Sequence, residues 1–199
     1  MASIRLYIEG GGPYDATQRR IRAGFADFLE SALGPAARRV HIVMCGANAV
    51  KAFGNALRAH PDDVSLLLVD AEGPVTGSPR AHVSAHAKTA CPGDELQYHL
   101  MVQAFEAWLT ADPDALAGFY GRGFRRGSLP RRQNVEGIPK DDLEPKLREA
   151  TRATQKGEYH KIRHAAPLLE RLDAVKVRKR AYHCRRLFET LETKLSELP

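Results

Sequence analysis

The stretch "LLLVDAEGP", residues 66–74, places four apolar residues directly before two acids that are one residue apart. A near-continuous apolar run of this kind is typical of a strand that is covered on both faces of a parallel sheet. The two carboxylates, Asp70 and Glu72, follow where such a strand would leave the core. The stretch therefore predicts a central strand that presents acids at one edge of a sheet.

The chain before this strand alternates between strand and helix patterns. Residues 4–9, "IRLYIE", form a β-rich segment that stops at a glycine loop, and the apolar residues of 15–33 recur at helical spacing. A second strand, "RVHIVMCG", and a second helix, "ANAVKAFGNALRAH", precede the third strand at residues 63–70. This βαβαβ order predicts an α/β fold, with a mainly parallel sheet flanked by helices.

The chain after Pro74 predicts a loop and then helices. Residues 75–93 show no clear periodicity, which predicts a long loop. A helix is expected at residues 96–110, and a short second helix begins after it, with Asp112 as its N-cap and Pro113 in its first turn. Three more helices are expected, at residues 141–152, 164–172 and 181–195. We therefore predict an α/β domain over residues 1–120 and a basic helical extension over residues 121–199, packed on the same core.

The charge of the chain is unevenly distributed. The net charge is +6, but residues 1–119 hold 10 Lys and Arg against 13 Asp and Glu, whereas residues 120–199 hold 20 against 11. Lys and Arg near phosphates gain affinity through counterion release, which favours nucleic acid as a partner of the second half. Basic helices are also often simply solvated, and the segment "RKRAYHCRR" is open to both interpretations.

Neither a secretory signal nor a membrane-spanning helix is indicated by the sequence, because no apolar run is long enough. The cysteines, Cys45, Cys91 and Cys184, are odd in number and form no C-x-x-C pair. Free thiols fit a reducing compartment. We therefore expect a cytoplasmic protein that has no membrane partner.

Acidic side chains end two of the predicted strands. The first strand ends in Glu9 and the third in Asp70, with Glu72 two residues further. Ligands of open parallel sheets bind at the carboxyl ends of the strands, and alternate residues of an extended segment point to the same side. Three ionised carboxylates at one edge repel one another, and Mg²⁺ or Mn²⁺ would relieve the repulsion. Acids at strand ends also serve as turn residues and helix caps, so the sequence leaves both interpretations open.

Two further features could complete such a site. The loop of Gly10, Gly11 and Gly12 would let the backbone approach a phosphate at the amino end of the first helix. The segment "HLMVQAFEAW" is expected to place His99, Gln103 and Glu106 on one helix face. There Glu106 either completes a second metal site or belongs to a solvated polar face.

A basic cluster lies in "TQKGEYHKIRH", residues 154–164. His160 and His164 have a spacing that could bind zinc on a helix, but no third soft ligand is nearby. A phosphate clamp fits better, in which both histidines contact phosphate and Lys156 or Lys161 stabilises the charge that develops on phosphorus. The alternative is a basic loop between two helices.

These motifs resemble a known family. "YIEGGG" followed later by "LLLVDAEGP" resembles, over residues 4–75, the Toprim domain of topoisomerases, DnaG-type primases and overcoming-lysogenization-defect nucleases. "LLVDAEGPV", "HLMVQAFEAWLTADPDALAGFYG" and "TQKGEYHKIRH" together resemble, over nearly the whole chain, a bacterial family of Toprim-like proteins of unassigned function. Members of that family are often thought to act beside an ATPase of the AAA or ABC type in anti-phage defence.

The resemblance implies a Toprim-like fold and a set of site residues. Glu9 becomes the acid/base residue or a metal ligand, and Asp70 and Glu72 become metal ligands, although many Toprim domains have Asp where this chain has Glu72. The implied function is a phosphodiester hydrolase, a nuclease that acts on DNA or RNA with Mg²⁺ or Mn²⁺. The alternative is a non-catalytic subunit that binds an ATPase or nucleic acid.

Overall fold

The computed structural model describes residues 3–12, 15–87 and 89–198. Its sheet runs in the order β2-β1-β3-β4, and every neighbouring pair is parallel. The strands are β1 (Ile4–Ile8), β2 (Val40–Met44), β3 (Val64–Asp70) and β4 (Tyr98–Met101). The predicted α/β fold with a parallel sheet is confirmed, and β3 occupies an interior position.

Helices flank this sheet and form the second half of the chain. They are α1 (Asp15–Leu33), α2 (Ala49–Ala59), α3 (Pro79–His86), α4 (Glu106–Ala111), α5 (Pro113–Tyr120), α6 (Lys140–Thr151), α7 (Lys161–Leu169), α8 (Ala174–Arg180) and α9 (Tyr182–Glu197). The bounds of α1 agree with the prediction. The cap of α5 is also confirmed, because the Asp112 carboxylate accepts the N–H groups of Asp114 and Ala115 at 3.2 Å each.

The apolar run of β3 is explained by burial on both faces of the sheet. Leu66 and Leu68 belong to a core that includes α1 and the C-terminal helices, whereas Leu67 and Val69 belong to a second core with α2 and α3. Alternate residues of a strand point to opposite faces, so a strand between two cores needs apolar residues at every position.

The C-terminal helices share the larger of these two cores. The ring of Phe28 in α1 lies 5.5 Å from that of Trp108 in α4 and 5.6 Å from that of Phe188 in α9, measured between centroids. All three rings are buried. Residues before and after position 120 therefore pack into the same hydrophobic cluster.

The predicted helix at residues 96–110 is wrong. The segment forms β4, all of whose residues are buried, and then a turn before α4 begins at Glu106. A short segment whose residues are all buried has no period that separates helix from strand, and pairing with β3 decides the outcome. His99 and Glu106 therefore do not share a helix face.

Two short α-helices among the described residues were not predicted. The expected loop at residues 75–93 contains α3, whose first turn holds Pro79 and whose N-cap, Ser78, accepts the Ala81 N–H at 3.3 Å. The other is α8, capped by Asp173. Helices of this length show too few apolar repeats to be recognised by periodicity.

None of the helices formed by the described residues is both long enough and apolar enough to cross a membrane. Cys45, Cys91 and Cys184 are free thiols, as predicted, and Cys184 is buried.

Candidate functional site

The carboxyl ends of β1 and β3 lie side by side. Ile8 pairs with Leu68, and the N–H of Glu9 donates to the Leu68 carbonyl oxygen at 2.9 Å. The chain leaves β1 toward β2 on one side and returns to β3 on the other, so this junction is the switch point where open α/β sheets bind ligands. Glu9 and Asp70 therefore belong to the same edge of the sheet.

A lysine lies between two carboxylates at this edge. The Lys161 Nζ atom is 3.4 Å from Glu106 Oε1 and 3.8 Å from Asp70 Oδ2. The Glu106 side chain is only 5% exposed, and its Oε1 atom also accepts the Tyr159 hydroxyl at 3.1 Å. Asp70 Oδ1 accepts the Phe105 N–H at 2.9 Å. We refer to Glu9, Asp70, Glu106 and Lys161 as the carboxylate cluster.

The members of this cluster influence each other's protonation. Burial raises the pKa of Asp70 to about 6; Lys161 and the Phe105 N–H oppose the rise, and the charges of Glu106 and Glu9 add to it. Burial also raises the pKa of Glu9, against the backbone N–H of Asp70 and the charge of Lys161. Burial alone would lower the pKa of Lys161, but Glu106 and Asp70 more than offset it, so the pKa is raised. Asp70 and Glu9 thus have a raised proton affinity and lie in one cluster with a protonated lysine.

Two cavities reach this edge from the two sides of the sheet. One has a volume of about 280 Å³, lies between α1 and α7, and is lined by Glu9, Asp70 and Lys161. The other, of about 500 Å³, lies beside α2 and α3 and is lined by Glu9, Asp70 and Glu72. Glu9 and Asp70 line both cavities, so a ligand in either cavity would meet them.

The resemblance implies Mg²⁺ or Mn²⁺ at this edge. Among residues 3–12, 15–87 and 89–198, no group of three or more His, Cys, Asp or Glu side chains is arranged to hold a metal ion. Mg²⁺ is often bound through one or two carboxylates, with water and substrate phosphate at its other positions. Glu9 and Asp70 could supply these one or two carboxylates. They stand at the ends of adjacent strands, and the charge of Glu9 acts on Asp70.

Glu72 forms an ion pair with a lysine outside the carboxylate cluster. β3 ends at Asp70, so the alternation that would align Asp70 with Glu72 does not continue. Glu72 has a φ of 62°, in the left-handed region that non-glycine residues rarely adopt, and its carboxylate forms an ion pair with Lys140 at the start of α6. The structure therefore turns Glu72 toward Lys140, although Glu72 still lines the larger cavity.

Of the two candidate lysines, only Lys161 contacts the acids. The Lys156 Nζ atom instead lies over the ring of Phe119, 5.0 Å from its centroid, in a cation–π contact. Since α7 begins at Lys161, the first turn of that helix delivers the lysine to the edge of the sheet.

The two candidate histidines form internal contacts. His164 is buried, and its Nδ1 atom accepts the His160 N–H at 3.2 Å and the Tyr120 hydroxyl at 2.8 Å. Burial lowers the pKa of His164, and neighbouring positive charges add to the effect. A neutral His164 that accepts two hydrogen bonds fixes the start of α7. The structure shows it in this packing role, and His160 is the residue before that helix.

The glycine loop is held against α1. Gly10, Gly11 and Gly12 all have positive φ, and a Cβ on Gly11 would lie 2.9 Å from the Gln18 Cγ atom. Gln18 also donates from Nε2 to the Gly12 carbonyl oxygen at 2.7 Å. The Gly10 N–H donates to the Gly46 carbonyl oxygen at 3.1 Å, so the predicted phosphate contact is left to Gly11 and Gly12.

The sequence did not reveal the role of Tyr159. Its hydroxyl orients the Glu106 carboxylate, and its own N–H donates to the Thr151 hydroxyl at 2.7 Å. Tyr159 and Glu106 are distant in the sequence, and no local pattern relates them. The only signal was an aromatic residue within the basic cluster of residues 154–164.

Comparison with known proteins gives one result. A family model described as "Domain of unknown function (DUF4276)" matches residues 8–192, a range that includes all four members of the carboxylate cluster. No curated protein and no solved structure matches the chain. Because the family model covers far more than half of the residues, the chain belongs to the DUF4276 family.

Proposed function

We propose that this protein is a metal-dependent phosphodiester hydrolase that cleaves DNA or RNA. The observation that supports the proposal most is the carboxylate cluster at the junction of β1 and β3, beside two cavities. Phosphodiester cleavage develops negative charge on phosphate oxygens and needs a base for water, and this cluster offers groups for both tasks. The resemblance to the Toprim domain supports the same reaction.

Each member of the cluster has a role in this proposal. A Mg²⁺ or Mn²⁺ ion at Glu9 and Asp70 would supply charge stabilisation to the phosphate oxygens. The Lys161 side chain is 53% exposed, so its ammonium can also contact a bound phosphate. If Asp70 alone ligates the ion, Glu9 is instead free to accept a proton from the attacking water, and its raised pKa suits that role. Glu106 holds Lys161 in place.

Charge supports nucleic acid as the substrate class. Residues 120–199 hold 20 Lys and Arg against 11 Asp and Glu, and α7, which carries Lys161, belongs to this basic half. Neutralisation of phosphates by such residues releases counterions and strengthens binding. The resemblance implies an ATPase partner of the AAA or ABC type, and we propose that the hydrolase works beside one in anti-phage defence.

A non-catalytic subunit is the second candidate, and the ion pairs of the site favour it. Lys161 contacts both Asp70 and Glu106, and Lys140 contacts Glu72, so two lysines offset most of the charge of these three acids within the chain. A subunit that only binds an ATPase or nucleic acid could keep such pairs for stability. It would assemble with its partner after loss of the carboxylates and would cleave nothing.

The test is a cleavage assay on the purified full chain. Labelled DNA and RNA, single-stranded and double-stranded, are incubated with Mg²⁺ or Mn²⁺ and, separately, with EDTA. We expect cleavage that EDTA abolishes and that falls at least about 100-fold in Glu9→Gln and in Asp70→Asn, which is a common loss for an acid/base or charge-stabilising group. Asp62→Asn, at an exposed aspartate before β3, is the matched control and should cleave normally.

Cleavage that persists in both Glu9→Gln and Asp70→Asn contradicts this mechanism. If the wild type cleaves no substrate, and binding to an ATPase is unchanged in both variants, the non-catalytic subunit replaces the hydrolase. Thermal unfolding of each variant shows whether a lost activity reflects a lost fold.

A further inference from the structure

The cavity between α1 and α7 has one charged end and apolar walls. Its charged end is formed by Glu9, Asp70 and Lys161, all members of the carboxylate cluster. The walls come from α1, the turn before α4, and α7, through Ile21, Phe25, Phe105, Ala165 and Leu169. An apolar cavity with a few convergent polar groups is the usual form of a small-molecule site.

The rim of this cavity includes the glycine loop and the start of α7. Gly10, Gly11 and Gly12 line the cavity with backbone alone. Ile162 stands at the start of α7 and is 63% exposed, so it extends the apolar wall outward. A ligand can therefore enter from solvent and contact apolar surface before it reaches the charged end.

We propose that this cavity binds the nucleobase next to the phosphate that is cleaved. The inference rests on the proposed function and names its substrate more closely. The charged end faces the phosphate, and the apolar walls face a flat ring, with Phe25 and Phe105 inclined to each other at a centroid distance of 6.3 Å. A volume of about 280 Å³ is enough for a single base.

Two properties of the substrate follow from this arrangement. A base that enters the cavity must leave its stack, and unpairing it from a duplex costs free energy that an unpaired strand does not require. The preferred substrate is therefore single-stranded nucleic acid or an unpaired stretch. Among the described residues that line the cavity, Thr17 is the one polar side chain outside the charged end. Contact with the base is therefore mainly apolar and tolerates every base.

The test measures binding as well as cleavage. The full chain is titrated with fluorescently labelled single-stranded oligonucleotides in Ca²⁺ in place of Mg²⁺, so that binding is followed directly. One oligonucleotide carries all its bases, a second of equal length is abasic throughout, and a third is the matching duplex. We expect the abasic strand and the duplex to bind at least about ten-fold more weakly, since each stacked base contributes a comparable factor.

Variants at the mouth separate the cavity from general charge effects. Thr17→Trp places an indole at a half-buried position that lines the cavity, and it should remove the difference between the base-carrying and abasic strands. Ala16→Trp, at the exposed neighbouring position of α1, is the matched control and should preserve the difference. Ile162→Asn is a second test. Because Ile162 is exposed, the fold should tolerate this change, which should reduce binding of the base-carrying strand only.

Equal binding of the base-carrying and abasic strands by the wild type overturns the inference, as do equal effects of Thr17→Trp and Ala16→Trp. The two proposals fail in different ways. Cleavage of abasic strands at the rate of normal strands removes the base cavity but leaves the hydrolase. Base-dependent binding by a chain that cleaves nothing leaves the cavity assignment and removes the hydrolase.

Discussion

At the level of single residues, the Lys161 ammonium lies between the carboxylates of Asp70 and Glu106, where a metal ion could also bind. Its ammonium lies within 4 Å of both Glu106 and Asp70, at 3.4 and 3.8 Å. Glu106 is almost completely buried, and a buried carboxylate without a partner is costly. Lys161 is half exposed, however, so solvent screens part of this interaction.

The change Lys161→Met should therefore have two effects. In EDTA, we expect the free energy of unfolding to fall by about 1–2 kcal/mol, which is the cost of breaking a buried pair after a discount for solvent screening. On addition of Mn²⁺, the rise in melting temperature should exceed that of the wild type, because the carboxylates then attract the ion without competition from the lysine.

Thermal unfolding with and without Mn²⁺ measures both effects. Lys156→Met is the matched control, because Lys156 lies over the Phe119 ring rather than beside the acids, and its response to Mn²⁺ should match that of the wild type. A smaller Mn²⁺ response in Lys161→Met than in the wild type would argue against an ion site at these carboxylates.

At the level of secondary-structure elements, the crossing of α1 and α7 determines where Lys161 stands. The two helices approach at Gly24, where a Cβ would lie 2.8 Å from both the Ala166 carbonyl oxygen and the Leu169 Cβ atom. A closer approach of two helices needs a small residue at the contact. Since α7 starts with Lys161, this crossing also determines the depth of the lysine beside β3.

The change Gly24→Ala should destabilise the protein, although alanine is the better helix former. The gain in helix propensity is about 1 kcal/mol, and overpacking of a tight contact costs about 1–3 kcal/mol, so we expect a net loss near 1 kcal/mol. Gly118→Ala in α5 is the matched control, since no atom lies within 4 Å of its added Cβ, and it should be neutral or stabilising. Urea unfolding of both variants checks this, and equal effects would contradict the tight crossing.

The signals carried by each element explain why some helices and strands could be predicted from the sequence and others could not. α1 carries many helical repeats between clear start and stop signals, and Asp112 with Pro113 marks the start of α5 by local chemistry. β4 offers no such signal, because its four residues are all buried and the segment is too short to show a helical or a strand period.

At the level of the whole molecule, a buried histidine joins β4 to α9. The Arg186 guanidinium lies 3.2 Å from His99 Nδ1 and donates to the Glu95 carbonyl oxygen at 2.9 Å. Burial lowers the pKa of His99 to about 3, and the charges of Arg186 and His183 add to the effect. His99 is therefore neutral in the folded protein over the physiological range.

This histidine should make the fold sensitive to acid. The ordinary pKa of the side chain is 6.5, so the unfolded chain binds a proton between pH 6.5 and about 3 that the folded chain does not bind. The stability that a neutral His99 contributes is complete above pH 6.5 and is lost as the pH falls toward 3.

The change His99→Asn removes this titration while keeping a hydrogen-bond acceptor. We expect a lower stability at pH 8, because the smaller side chain leaves a cavity, and a shallower loss of stability from pH 6.5 to about 4. Urea unfolding at pH 8 measures the loss of stability, and urea unfolding from pH 6.5 to about 4 measures its dependence on pH. His41→Asn, at an exposed position of β2, should keep the wild-type slope, and an unchanged slope in His99→Asn would contradict the assignment.

The sequence by itself determined the α/β class, the parallel order through β3, and the meeting of Glu9 with Asp70. These follow from local periods and from the rule that parallel strands end at a common edge. Only the tertiary structure decided that Lys161 and Glu106 join them, that Glu72 turns to Lys140, and that Lys156 lies elsewhere. The physical reason is that these contacts join segments far apart in the chain, and packing of whole elements, rather than any local period, selects which side chains meet.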